Sequence, residues 1–344
     1  MLDGTGAAVQ FPSYIMSFAQ QLARCAAILV AGLGAFWAMP SGPAVAQGQR
    51  TLVESRESLY NNIYVYREGN YLAMTFGYNR AIYTESVYNT LDDRDLPVTY
   101  TRYMTETLAY AKNLHSVLEI GFGGGRTSWY LHRFLPDVSV TSVELDPTVA
   151  ELARKYFGIS DEPNFHLVNR DGRLFLQESK DKYDIILIDA YRGPFVPFHL
   201  LTKEFYEIAK SHLAEGGVVA QNVEPSTMLF DAAVKTIHSV FPQEDFYVAE
   251  GNVVTIAYDG TPRSPDDLEQ SSVARQGALH LRYDLGKMLA QRRRLPPENL
   301  GSTIDPNAKI LTDDFAPVES LKAIENHNRK WPDPQPNDPQ LTSH

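Results

Sequence analysis

The sequence predicts an α/β fold: a mostly parallel seven-stranded sheet preceded by a small N-terminal antiparallel β domain. Three observations predict it. Short apolar runs alternate with helical patterns from Ser116 to about Tyr258, which implies a parallel sheet with helices on both faces. Tyrosine-rich stretches with period-two alternation occupy 51–98, separated by turn residues at Gly69-Asn70 and Gly77-Tyr78-Asn79. The first apolar run of the α/β region ends in a glycine-rich turn, Gly121-Phe122-Gly123-Gly124-Gly125, that opens a helix.

Taken in order, the chain first presents an uncharged, mostly apolar run over 25–39, preceded by Arg24 and broken by Pro40-Ser41-Gly42. Ala44-Val45-Ala46 follows, the small-x-small pattern that a signal peptidase reads. Residues 1–46 are therefore expected to be a signal peptide, and the mature protein periplasmic or secreted. A membrane anchor through 25–39 is the second reading, although a spanning helix needs roughly 20 apolar residues. Met16 is an alternative start, and a misplaced start site would leave the chain cytoplasmic.

The single cysteine, Cys25, excludes a disulfide framework and a thiolate metal site. The nine histidines show no H-x-x-x-H or H-E-x-x-H spacing, so no metal is expected. A net charge of -11 argues against nucleic-acid binding, because phosphate contacts need clustered cations. Arg292-Arg293-Arg294 reads as a helix end or solvated face.

The β domain spans 51–98, with alternation at Ile63–Tyr66 and Tyr71–Met74. A helix over Thr99–Lys112 leads into a catalytic domain at 99–260. Its strands are expected at Ser116–Ile120, Val138–Val143, Asn164–Val168, Tyr183–Ile188, Gly217–Gln221, Asp245–Val248 and Val253–Tyr258. Helices over Thr148–Phe157 and Lys203–His212 fall between them. The short Glu250-Gly251-Asn252 link predicts an antiparallel hairpin at one edge. A C-terminal extension covers 261–330, with a helix near Leu279–Arg293, and a disordered tail follows over 331–344.

The ligand-binding signal lies at the ends of the first four strands of the α/β region. Gly121 and Gly123 let backbone approach a nucleoside closely. Glu144 ends the second strand, where an acidic side chain accepts hydrogen bonds from ribose hydroxyls; the other reading is a cap for the next helix. Asp171, after the third strand, is placed to accept from an adenine amino group or to cap the helix at Gly172. Asp189 ends the fourth strand. Glu119, inside the first strand, either touches the donor's charged end or bonds the glycine turn. Together these residues predict a Rossmann-like class I methyltransferase fold that binds a sulfonium donor such as S-adenosylmethionine.

With those residues in view, the chain resembles the spermidine synthase family. The resemblance covers about 51–260. It runs through Ser58-Leu59-Tyr60-Asn61-Asn62-Ile63-Tyr64-Val65, the Tyr100 helix, the glycine loop, Val143-Glu144-Leu145-Asp146, Asp171-Gly172 and Ile188-Asp189. Two later segments also look like family sequence, Pro197 to Tyr206 and Leu311 to Glu319. That family moves an aminopropyl group from decarboxylated S-adenosylmethionine to a diamine. The resemblance implies ribose binding by Glu144, adenine contact by Asp171, a catalytic carboxyl at Asp189, amine orientation by Tyr100, and often a homodimer.

Three positions depart from the family pattern. The loop Asp that pairs with the donor's ammonium is Gly124. The second Asp of the catalytic loop, which binds the acceptor, is Arg192. The family glutamine near the start of the β unit is Asn61. Arg126 and Arg192, if they face the site, would suit a carboxylate through bidentate pairing. Full S-adenosylmethionine carries a carboxylate, so methyl transfer to a small-molecule acceptor is the first expectation. Asp189 and Tyr100 would handle the proton, Arg126 would bind the donor, and Asn61, Tyr191 and Arg192 would line the acceptor pocket. The alternative is a true polyamine aminopropyltransferase, and a third reading is a noncatalytic nucleoside or polyamine binding protein. An export signal sits uneasily with a donor made in the cytoplasm and favours the third.

Overall fold

Period-two apolar patterning builds the first sheet. In the computed structural model, Ile63 and Val65 of β2 (Asn62–Glu68) are buried opposite Phe76 and Met74 of β3 (Tyr71–Tyr78), so one face of this pair closes on a core. β1 (Thr51–Glu57) and β4 (Ala81–Asn89) flank them, giving an antiparallel meander in the order β1-β2-β3-β4. The structure describes residues 50–315 apart from 79, 80, 194, 228, 250, 295–303 and 306. The expected signal or anchor segment and the expected tail lie outside the described residues.

Two short helices, α1 (Thr99–Met104) and α2 (Thr107–Tyr110), replace the single helix expected over Thr99–Lys112. The break is local. The hydroxyls of Thr105 and Thr107 donate to the carbonyls of Arg102 and Met104, a side-chain alternative to helix continuation.

The α/β region then follows as β5 (Ser116–Ile120), α3 (Arg126–Phe134), β6 (Ser139–Glu144), α4 (Pro147–Tyr156), β7 (Phe165–Asn169), α5 (Gly172–Glu178), β8 (Tyr183–Ile188), α6 (Lys203–Ser211), β9 (Leu213–Val223), α7 (Phe230–Val240), β10 (Gln243–Ala249) and β11 (Asn252–Tyr258). After them come α8 (Pro265–Leu279), α9 (Leu285–Leu289) and β12 (Arg292–Arg294). Strand β8 is buried along its whole length, as a central parallel strand covered on both faces must be.

The second sheet has the order β12-β10-β11-β9-β8-β5-β6-β7. Strands β9, β8, β5, β6 and β7 are parallel, and β11, β10 and β12 run antiparallel to their neighbours. The β10–β11 hairpin matches the expected link. Among the described residues the sheet has eight strands where seven are expected. The eighth is the arginine run, read from sequence as a helix end or solvated face. Arg292 is drawn inward instead, its Nη2 2.8 Å from the buried Asp245 Oδ2. The helix expected near Leu279–Arg293 is shortened to α9, and the longer α8 precedes it, starting at Pro265 behind a Ser264–Asp267 capping box.

The strand order reverses between β5 and β8, with β6 and β7 added on one side and β8 and β9 on the other, which opens a crevice at their carboxyl ends, the place where open α/β sheets bind ligands. The N-terminal sheet roofs this crevice. Ser86 Oγ on β4 accepts from Gly124 N at 2.8 Å, and Glu54 on β1 accepts from Lys155 and Tyr156 of α4. Among the described residues, no helix is long and apolar enough to cross a membrane.

Candidate active site

The crevice holds a cavity of about 660 Å³. Gly121 forms its floor. Its φ is +89°, and a Cβ there would lie 2.4 Å from the Asp189 carbonyl oxygen, so only glycine lets the ends of β5 and β8 meet. Asp189 N donates to the Ile120 carbonyl at 2.8 Å across that junction. Strand β8 therefore delivers the Asp189 side chain to the cavity from beside the glycine turn.

Asp189 is held from two sides. Tyr100 Oη donates to Oδ2 at 3.1 Å and Asn222 Nδ2 donates to Oδ1 at 2.9 Å. Asn252 Nδ2 in turn donates to Asn222 Oδ1 at 3.0 Å, which fixes the amide's orientation. Burial raises the Asp189 carboxyl to about 6, and the two donors hold it below what burial alone would give. A carboxylate poised there can accept a proton near neutral pH.

Glu144 also lines the cavity. Its Oε2 accepts from Phe122 N at 3.0 Å and Gly123 N at 3.2 Å, and its Oε1 accepts from Asp146 N at 2.8 Å. The glycine turn and Glu144 thus brace each other. Asp146, not Glu144, caps α4, since its side chain accepts from Thr148 N. Asp171 combines both expected roles: it caps α5 through Leu174 N and lines the cavity, where His199 Nε2 lies 3.0 Å from its Oδ2. The His199 contact lowers its pKa.

Asn61 and Tyr191 line the cavity as expected, but each is engaged. Asn61 Nδ2 donates to Asp146 Oδ2 at 3.3 Å, and Tyr191 Oη donates to the Asn222 carbonyl at 3.0 Å. Arg192 is exposed at the rim, its backbone paired with Phe195. Arg126 does not line this cavity. It is buried beneath Tyr88, its guanidinium 4.5 Å from the ring centre, and it donates to the carbonyls of Phe157 and Asp93. The expectation that Arg126 binds the donor is therefore corrected: helix α3 turns it into the seam with the β domain, and burial lowers it to about 10. Glu119 is not among the residues that line the cavity. It accepts from Ser142 Oγ at 3.2 Å on the neighbouring strand.

Three residues not expected at the site complete it: Glu85, Asn222 and His199. Asn222, near the end of β9, had a usable signal, because the fifth parallel strand must also end at this sheet edge. His199 lies in the family-like segment from Pro197 to Tyr206, and Glu85 had no signal.

Residues 98–256 match the spermine/spermidine synthase domain. Over that stretch the chain is similar to the spermidine synthase family. The polyamine aminopropyltransferase of Vibrio vulnificus is 28% identical over 293 residues, covering 80% of this chain and 93% of that protein. The probable polyamine aminopropyl transferase of Bifidobacterium longum is 30% identical over 251 residues, covering 67% of this chain and 54% of that protein. In fold, the chain is similar to a probable spermidine synthase from Corynebacterium glutamicum, with a TM-score of 0.61 at 18% identity over 77% of this chain and 97% of that one.

These relatives overturn methyl transfer as the first expectation, since both are named for aminopropyl transfer. The physical reason lies in the cavity. The expectation rested on the loss of two ammonium-binding carboxylates, at Gly124 and Arg192, and on two arginines, of which one is buried elsewhere and the other sits exposed at the rim. The lining itself is acidic: Glu85, Glu144, Asp146, Asp171, Asp189 and Glu224 face one arginine, Arg192.

Proposed function

We propose that this chain is a polyamine aminopropyltransferase that takes decarboxylated S-adenosylmethionine as donor and a small polyamine as acceptor. The observation that carries the reading is the charge of the cavity, six carboxyl groups against one guanidinium. Like charges in a confined site attract and retain a ligand of opposite sign. The decarboxylated donor carries a sulfonium and an ammonium and no carboxylate, and the acceptor is also a cation.

The reaction breaks a carbon–sulfur bond and forms a carbon–nitrogen bond. Methylthioadenosine leaves as a neutral thioether, so no acid is needed, and the attacking amine sheds one proton. Asp189 accepts that proton, held in line by Tyr100 and Asn222. Glu144 receives the ribose hydroxyls and Asp171 the adenine amino group, while Gly121 and Gly123 allow close backbone approach. Asn61, Tyr191 and Arg192 border the acceptor.

The test is to incubate the full chain with decarboxylated S-adenosylmethionine and a diamine, with S-adenosylmethionine as the control donor, and to analyse products by mass spectrometry. Methylthioadenosine and an aminopropylated amine appearing together, only with the decarboxylated donor, are the expected result. No product from that donor sinks the reading. Export remains a separate proposal, tested by sequencing the N-terminus of the chain recovered from cell fractions.

A further inference from the structure

Family resemblance places an ammonium-binding carboxylate in the glycine loop, where this chain has Gly124. The loop has no room for one. A Cβ at Gly124 would come within 2.7 Å of both Phe157 Cδ1 and Ser86 Cβ. Strand β4 already occupies that space, pinned there by the Gly124 N–H to Ser86 Oγ bond of 2.8 Å.

The residue beside Ser86 is Glu85. The β3–β4 ladder pairs Met74 with Ser86 and Thr75 with Thr84, so Glu85 has no partner across the ladder. It is the extra residue of a bulge, a device that re-aims a side chain out of the regular alternation. Its side chain lines the cavity. Among the described residues its Oε1 is buried and has no hydrogen-bond partner. It shares the cavity with Asp189 and Glu144, whose charges add to burial in pushing its pKa well above the usual carboxylate range. Its own charge bears on Tyr100 and Tyr191 in turn. A buried carboxyl that meets acids and phenols and no cation is uncompensated until a cation arrives.

We infer that Glu85 holds the ammonium of the donor's aminopropyl arm, supplying from a bulge on β4 the carboxylate that the glycine loop has no room to carry. This rests on the aminopropyl-transfer reading. It makes Glu85 the residue that discriminates the decarboxylated donor from the uncharged product, methylthioadenosine, which lacks the arm.

The experiment is calorimetric titration of the full chain and of Glu85→Gln with decarboxylated S-adenosylmethionine and with methylthioadenosine. Expected is a loss of about ten- to a hundredfold in donor affinity, the effect of removing a charged hydrogen-bond partner, with methylthioadenosine binding unchanged. The second ligand also reports that the variant is folded. Wild-type donor affinity in Glu85→Gln would overturn the assignment while leaving aminopropyl transfer standing. An equal loss for both ligands would overturn it too, since Glu85 would then be shaping the nucleoside pocket. A wild-type chain that binds methylthioadenosine but not the decarboxylated donor would overturn both readings together.

Discussion

Asp189 shows how neighbours set the working range of one side chain. Burial raises it to about 6, while Asn222 and Tyr100 favour the charged form. A base must be unprotonated to accept the amine's proton, so kcat/KM is expected to fall as pH drops through about 6. Asp189→Asn should remove this acid limb and lower the rate by about 10²–10⁴, the usual contribution of a positioned base. Tyr100→Phe deletes one of the donors that stabilise the carboxylate, so the limb should move to higher pH. A pH–rate profile of the three proteins checks all of this; an unmoved limb in Tyr100→Phe would disconnect the 3.1 Å contact from the titration.

Among the elements, β12 is the one that composition hides. Three consecutive arginines carry no apolar alternation, yet they close the sheet against β10 because Asp245 is buried there and Arg292 is its countercharge. Arg292→Met should leave Asp245 buried and unpaired. Breaking such a pair by removing one partner costs about 3–5 kcal/mol, readable in the midpoint of a denaturant melt. The β4 bulge is a second hidden element. Gly124→Ala would drive a methyl into Ser86 and Phe157, and overpacking of this kind costs about 1–3 kcal/mol. The same melt tests it, and a variant as stable as the wild type would show that β4 can yield.

Over the whole molecule, stability is coupled to pH through carboxyl groups that folding buries. Glu119 is raised from an ordinary value of 4.5 to about 8, first by burial. Between those values the folded state keeps its proton and the unfolded state has lost it. The Glu119 contribution to stability is therefore complete below about 4.5, declines as pH rises, and is gone above about 8. Glu119→Gln removes the titrating group, so its stability relative to wild type should increase from about pH 5 to about pH 8 as linkage requires. Denaturant melts at the two pH values measure it, and a constant difference would place the Glu119 proton elsewhere. The acidic cavity acts at the same scale, and on the proposed reading it draws in cations and disfavours a donor that carries a carboxylate.

The sequence by itself determined the alternation of β and α, the glycine turn, and the acids Glu144, Asp171 and Asp189 at strand ends. Each is a local fact: apolar periodicity, a positive-φ requirement, a residue placed at the end of a strand. Six of the seven expected strands of the parallel sheet and its edge hairpin shift by no more than a residue or two between expectation and structure, and β9 is the main extension. Only the tertiary structure decided which way Arg126 points, that Asn222 reaches Asp189, and that Glu85 enters the cavity. These depend on contacts such as Ser86 with Gly124 that join the roof to the sheet. Gly124 and Arg192 stand where the family keeps carboxylates, and that local loss is what favours methyl transfer in the sequence. Charge in a cavity is summed over everything that faces it, and the strand that faces this one lies in a separate stretch of chain.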